Sequence, residues 1–249
     1  MNWAETEQTG DVVERPARGL CGCLLECSAA DFPDYLNYPG IEMLEWRIDA
    51  FTRDAHEGWM DAYLKELSRS SRLPVIATNR PEWEMGHFTG PEDVRLRMLS
   101  EAAKAGAEWI DLEYETASTN VTHFRRHDSR ILVSYHNPVE TPSRQALRLR
   151  VEKMCKAEPD ALKIATYAQS DEDNLRLLEL IPFARREFDI DIVAFCMGPI
   201  GKWSRAVSLL LGSPWTYVQL PGQPPAAPGQ LMAEEMRSMM KSLTSIVTA

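Results

Sequence analysis

No stretch of the chain approaches the roughly 18 consecutive apolar residues that a membrane-spanning helix needs. Its 249 residues are therefore expected to bury their apolar side chains against one another. A positive excess is also missing: 27 Lys and Arg stand against 37 Asp and Glu, a net charge of −10. That argues against nucleic acid or an anionic membrane as the main partner, and an anionic small substrate would need its own local cationic pocket. Cysteines are few and odd in number (Cys21, Cys23, Cys27, Cys155, Cys196), which points to reduced thiols and a cytoplasmic setting. The Cys21-x-Cys23-x3-Cys27 run lacks a matching Cys or His pair at zinc spacing. Cys21, Cys23 and Leu25 share one strand face and read as small buried hydrophobes. No Gly-x-Gly-x-x-Gly turn follows any predicted strand, and there is no internal repeat, low-complexity tract or interdomain linker. The acidic, polar opening Met1-Asn2-Trp3-Ala4-Glu5-Thr6-Glu7 is unlike a signal peptide.

What is present is an alternation. Short apolar runs at 20–27, 43–51, 73–78, 109–113, 130–136, 160–166, 190–197 and 215–220 read as strands. Most lack a clean polar alternation, as parallel strands covered by helices do. Amphipathic segments at 54–68, 94–104, 143–156, 174–186, 201–211 and 228–246 read as helices. Thr141-Pro142 supplies an N-cap with proline in the first turn, and the helix over 174–186 is expected to be interrupted or kinked near Pro182. The connection at 29–39 has room only for a short, proline-broken helix. Eight strands alternating with helices in a chain of this length predict an α/β fold, a single-domain (β/α)8 TIM barrel over residues 19–249 preceded by a polar N-terminal arm at 1–18. A doubly wound open sheet is the runner-up.

In such a barrel the chemistry sits at the C-terminal ends of the strands. The sixth run, Asp160-Ala161-Leu162-Lys163-Ile164-Ala165-Thr166, puts one lysine on the face shared with two alanines, opposite Leu162 and Ile164. Confinement there strips water from the amine, and the neutral amine is the form that attacks a carbonyl. A lysine snorkelling to water at an edge strand is the commoner occurrence. In the second run, Glu45, Arg47 and Asp49 share the face opposite Leu44, Trp46 and Ile48. Charges inside a barrel cost several kcal/mol each unless paired, on the order of what buried ions cost generally. A Glu–Arg network or a polar ligand site accounts for them equally well. The fourth run repeats the pattern with Trp109, Asp111 and Glu113. His136 ends the fifth, one strand before the lysine, where it is a candidate proton shuttle. The third ends in Thr78-Asn79-Arg80, and the loop after it carries Glu84.

The set Glu45-Trp46-Arg47-Ile48-Asp49, Thr78-Asn79-Arg80 with Glu84, Ser134-Tyr135-His136, Leu162-Lys163-Ile164-Ala165 and Met197-Gly198-x2-Gly201-x2-Ser204-Arg205 resembles type I 3-dehydroquinate dehydratase. Gly212-Ser213-x2-Thr216 and Ala227-Pro228-Gly229-Gln230 extend the likeness from about residue 20 to the last helix. The resemblance implies a lyase of the shikimate pathway, part of aromatic amino acid and chorismate biosynthesis, that needs no cofactor or metal and takes 3-dehydroquinate as its small-molecule substrate. It implies that Lys163 forms a Schiff base with the C3 ketone. His136 removes a C2 proton and returns it to the departing C1 hydroxyl, and Glu84 orients His136. Glu45, Arg47 and Arg80 would hold ring hydroxyls, and Arg205 and Gln230 the substrate carboxylate. The family is commonly homodimeric, although no helix here presents an evident interface. The sequence departs from the family at Asn79 (usually Phe), Met85 (Gly), Asn137 (Asp) and Ala226, where a substrate-contacting lid serine is usual. Two other readings compete: a second kind of Schiff-base barrel enzyme, of aldolase type, and a non-catalytic metabolite-binding descendant. The hydroxyl-binding set and the carboxylate clamp disfavour the first, and the retention of both Lys163 and His136 disfavours the second.

Overall fold

A computed structural model describes residues 19–51, 58–70 and 73–244. The arm expected at 1–18, the first residues of the helix expected from 54, and 245–246 of the last helix lie outside them. Eight strands run β1 (Gly19–Leu24), β2 (Met43–Arg47), β3 (Val75–Thr78), β4 (Trp109–Glu113), β5 (Arg130–Asn137), β6 (Ala161–Tyr167), β7 (Ile192–Met197) and β8 (Trp215–Gln219). All pair in parallel in the order β7-β6-β5-β4-β3-β2-β1-β8. The ladder thus wraps into a (β/α)8 barrel that is nearly closed. At the seam Phe195 of β7 meets Tyr217 of β8, ring centres 6.2 Å apart, and the Ser213 hydroxyl donates to the Ile192 carbonyl at 2.9 Å.

Helices cover the outside: α1 (Phe32–Leu36), α2 (Ile48–Phe51), α3 (Trp59–Ser70), α4 (Glu92–Lys104), α5 (Tyr114–Arg125), α6 (Arg144–Cys155), α7 (Asp171–Leu178), α8 (Leu180–Phe188), α9 (Gly198–Gly201), α10 (Ser204–Leu211) and α11 (Ala233–Thr244). None among the described residues is long and apolar enough to cross a membrane.

Strand alternation divides the interior in two. Outward residues such as Leu44, Trp46, Ile110, Val133, Leu162 and Ile164 pack under the helices. Inward ones such as Cys21, Met43, Ile76, Leu132 and Ala161 fill the barrel floor, where Trp109 and Trp215 meet edge to face at 5.3 Å. Above that floor the inward positions become ionic, at Glu45, Arg47, Asp111, Glu113 and Lys163, all buried.

Several expectations need correction. The second strand stops at Arg47, and residues 48–51 turn into α2. Asp49 therefore leaves the strand face expected for it and caps the barrel end instead. Helix α5 was not expected, because Thr116, Thr119, Asn120 and Thr122 are weak helix formers. Tertiary packing of Ala117, Val121 and Phe124 supplies what propensity lacks. The segment 174–186 is interrupted near Pro182 as expected, the break falling at Glu179, which leaves Pro182 in the first turn of α8, where its missing N–H is harmless. Ser143 is the N-cap of α6, whereas the Thr141 hydroxyl bonds to the Tyr167 carbonyl at 2.9 Å. The segment 201–211 is divided between α9 and α10. Residues 228–232 stay with the loop over the barrel mouth, so the last helix starts at Ala233.

Candidate active site

Lys163 projects into the barrel from β6 with its Nζ 3.2 Å from Glu45 Oε1 and 3.4 Å from Asp111 Oδ2. Its amine also stands 4.1 Å above the centre of the Tyr217 ring. Register places Ser134 beside it, and His136 with Ala165 one inward step nearer the mouth. The two flanking alanines are not equivalent: Ala165 borders the pocket above the amine, while Ala161 is packed into the floor. Only one of them provides room for a ligand. Glu45 also accepts from Thr78 Oγ1 at 3.0 Å and from the Cys23 thiol at 3.2 Å.

Arg80 is the hub of the ionic layer. Its Nη1 reaches Glu84 (3.2 Å), Glu113 (2.7 Å) and Ser134 (2.7 Å), and its Nη2 reaches Asp111 at 2.5 Å. Burial opposes the charge, but Asp111, Glu113 and Glu84 outweigh it and hold the guanidinium above its ordinary pKa. Arg80 therefore organises carboxylates as much as it offers donors to a ligand. Arg47 grips Asp49 through Nε (3.0 Å) and Nη2 (2.9 Å). Asp49 in turn accepts the backbone N–H of Arg80 at 3.0 Å and of His87 at 3.1 Å. Burial would raise its pKa, yet Arg47 and these N–H groups keep it below the usual carboxylate value. The pair thus pins the end of β2 to the loop after β3.

That loop delivers Glu84. A single 3-10 turn, Glu82–Glu84, is followed by Met85 in the left-handed region at φ 63°. Gly86 then passes so close to the chain that a Cβ there would lie 1.9 Å from the Arg80 carbonyl oxygen. Only glycine fits. The outcome is a 2.9 Å contact between Glu84 Oε2 and His136 Nδ1. Burial pushes Glu84 up to about 8, with Arg80 pulling it back and Glu113 and Asp111 adding to the rise. Burial, reinforced by Arg80, Lys163 and Arg47, holds His136 well below its ordinary value. Burial thus disfavours charge on both members of this hydrogen bond.

Arg205 comes from the first turn of α10 and is 1% exposed. Gly201 makes this possible by lying against the Cys196 backbone, where a Cβ would meet the carbonyl at 2.6 Å. The Ser204 hydroxyl ties the turn down, accepting from Cys196 N at 2.8 Å and donating to Gly201 O at 2.7 Å. The guanidinium lies 4.2 Å over the Phe195 ring and donates to the Pro228 carbonyl at 3.4 Å. Its Nε has no partner, and no carboxylate pairs with it among the described residues. Burial lowers its pKa to about 10. An uncompensated buried cation is an anion-binding site in waiting.

The lid, residues 221–232, is moored from within. Gln223 accepts from the N–H groups of Leu25 and Glu26 and donates to Glu26 O and Tyr35 Oη. Pro228 O accepts from Gly198 N at 3.0 Å. Gln230 accepts from Ala226 N at 2.6 Å and donates to the Cys23 sulfur at 3.2 Å. Its oxygen and one of its two amide N–H groups are thus engaged with the protein, and the side chain borders the pocket.

The nine residues that the resemblance named for the chemistry, the substrate and the lid border one pocket at the C-terminal mouth: Lys163, His136, Glu84, Glu45, Arg47, Arg80, Arg205, Gln230 and Ala226. Cys23, Phe195 and Tyr217 line it as well and were not expected there. Each occupies an inward strand position, which alternation makes legible, but so do the residues of the barrel floor.

A model of the type I 3-dehydroquinase family matches residues 33–246. A 3-dehydroquinate dehydratase of Syntrophobacter fumaroxidans is 46% identical over 222 residues, 89% of this chain and 95% of its own length. One from Methanothermobacter thermautotrophicus is 37% identical, covering 82% of this chain and 86% of its own. The crystal structure of 3-dehydroquinate dehydratase from Geobacillus kaustophilus superposes with a TM-score of 0.82 at 24% identity, over 94% of this chain and 93% of that one; at that identity it speaks for the fold. With the family model and these relatives spanning most of its length, the chain belongs to the type I 3-dehydroquinase family and is an enzyme of the carbon–oxygen lyase class.

Proposed function

We propose that this protein dehydrates 3-dehydroquinate to 3-dehydroshikimate in the shikimate pathway, through a Schiff base on Lys163 with His136 as the proton carrier. The observation that carries the reading is the combination in one pocket of a buried lysine amine, a histidine one step above it on the neighbouring strand, and a buried arginine that no carboxylate neutralises among the described residues. Neutral Nζ attacks the C3 carbonyl carbon. The carbonyl oxygen leaves as water after taking up protons, and a protonated imine remains. That cation withdraws electrons from the adjacent C–H, so imidazole is strong enough to remove the C2 proton. The C1 hydroxyl then departs with a proton from His136, and water hydrolyses the imine to free the product and the amine. Net, one water is lost. Arg205 matches the substrate carboxylate by charge, and Glu45 and Arg47 border the space for ring hydroxyls. The odd cysteine count supports a cytoplasmic setting.

The test is borohydride reduction in the presence of 3-dehydroquinate, followed by intact-mass and peptide mapping. An adduct on Lys163, absent from Lys163→Ala, is the expected result. No adduct in the active enzyme sinks the mechanism. An absorbance assay for the conjugated product, run on the same two proteins, tests the reaction itself.

A further inference from the structure

The Lys163 amine stands over the face of Tyr217, 4.1 Å from Nζ to the ring centre. Tyr217 is 3% exposed and pointed inward from β8, with Phe195 of β7 against its edge at 6.2 Å. The other two contacts are hydrogen bonds to Glu45 and Asp111. These three contacts respond differently to chemistry at nitrogen. An ammonium has three N–H groups and can satisfy both carboxylates. A protonated imine has one, so at least one of those hydrogen bonds must be given up when the C–N bond forms and water leaves. A ring face asks for no N–H. It attracts the positive charge wherever that charge lies on the C=N unit.

We propose that Tyr217 is a catalytic residue whose ring face stabilises the iminium formed on Lys163, replacing the hydrogen bond that the amine loses on becoming an imine. The idea rests on the Schiff-base reading above. It is the aromatic face that acts, in a buried pocket where such contacts are strongest; the hydroxyl is not required.

The experiment measures two quantities, kcat and the fraction of chains trapped by borohydride at saturating 3-dehydroquinate. Tyr217→Phe keeps both within about threefold of the parent, whereas Tyr217→Leu lowers both by about 5- to 30-fold. Because leucine could disturb the barrel seam, the deciding series keeps the ring: phenylalanine at 217 and its mono-, di- and trifluorinated analogues, which weaken the negative ring face at nearly constant shape. Trapped fraction and log kcat are expected to fall stepwise with fluorination, a trend that a merely space-filling role does not produce. A flat series with normal trapping overturns the role of Tyr217 and leaves the Schiff base standing. Absence of any adduct in the parent enzyme overturns both.

Discussion

Nδ1 of His136 lies 2.9 Å from Oε2 of Glu84, and the surroundings of this pair work against charge on either member. Burial raises the carboxyl to about 8 and lowers the imidazole. When Glu84 is protonated it can donate to Nδ1, which leaves the ring proton on Nε2 and no base there. Once it ionises, Nδ1 must be the donor and Nε2 carries the free lone pair. The carboxylate thus selects the tautomer that can abstract a proton.

A pH profile follows from this. In the parent enzyme kcat rises with pH up to about 8, as Glu84 ionises. Glu84→Gln flattens that limb and lowers kcat by about tenfold or more. Stability moves the other way. Glu84 binds its proton more tightly folded than unfolded, so its contribution is intact below the ordinary value of 4.5 and is lost as pH climbs to about 8. Glu84→Gln escapes this loss. Its advantage in denaturant melts should grow between those limits and reach a few kcal/mol, of order. Equal pH dependence of the two proteins would remove the buried carboxyl as the cause. His136, depressed when folded, adds the opposite slope: its contribution is present above its ordinary 6.5 and fades as pH falls below that.

Arg205 offers a second trade of stability against binding. A buried guanidinium over Phe195 with no carboxylate against it among the described residues costs desolvation that no such ion pair returns. Arg205→Met is therefore expected to raise KM by about 10- to 100-fold, the worth of a charged hydrogen-bonded contact, while its melting temperature stays level or rises by up to about 2–4 °C. A fall of several degrees with unchanged KM would make Arg205 structural. Arg205→Lys tests the fork: charge is kept, bidentate geometry is lost, and KM falls between the two.

How much of this was legible beforehand depends on which residues strand geometry controls. Lys163, Glu45 and Arg47 sit within strands, where period-two alternation fixes the side each faces, so their inward placement could be read directly. Asp49 could not, because β2 ends two residues earlier and the α2 turn resets the direction. The weak formers of α5 hid a helix that packing alone sustains. Cys23 and Tyr217 were overlooked for a different reason. A thiol and an aromatic ring on an inward face look like floor, and only the height of each along its strand separates floor from site. For Gln230 the resemblance implied a place at the substrate carboxylate, but its contacts to Ala226 and Cys23 depend on the folded lid and are beyond strand alternation.

The loop that carries Glu84 makes a sharp local prediction. A methyl group at Gly86 would collide with the Arg80 carbonyl oxygen at 1.9 Å, and that residue's side chain holds Glu84, Asp111 and Glu113 together. Gly86→Ala must push the loop outward. We expect kcat to drop by about 100-fold or more, because displacement of about 1 Å is enough for that, with far-ultraviolet circular dichroism unchanged since the barrel strands are untouched. Normal turnover would mean that the loop can relax without moving Glu84.

The lid residue Ala226 is the remaining departure with a measurable consequence. Its backbone N–H is held by Gln230 Oε1 at 2.6 Å, and its methyl group borders the pocket. A serine here adds a hydroxyl toward the ligand without disturbing that backbone contact. One added hydrogen bond is worth about 0.5–1.5 kcal/mol net, so Ala226→Ser should lower KM by about 2- to 10-fold with kcat nearly constant. The restriction to KM is the informative part: a contact made equally in ground and transition states changes binding alone. An unchanged KM would mean that residue 226 does not meet the substrate, and that the moorings at Gln223, Pro228 and Gln230 suffice to hold this lid in place.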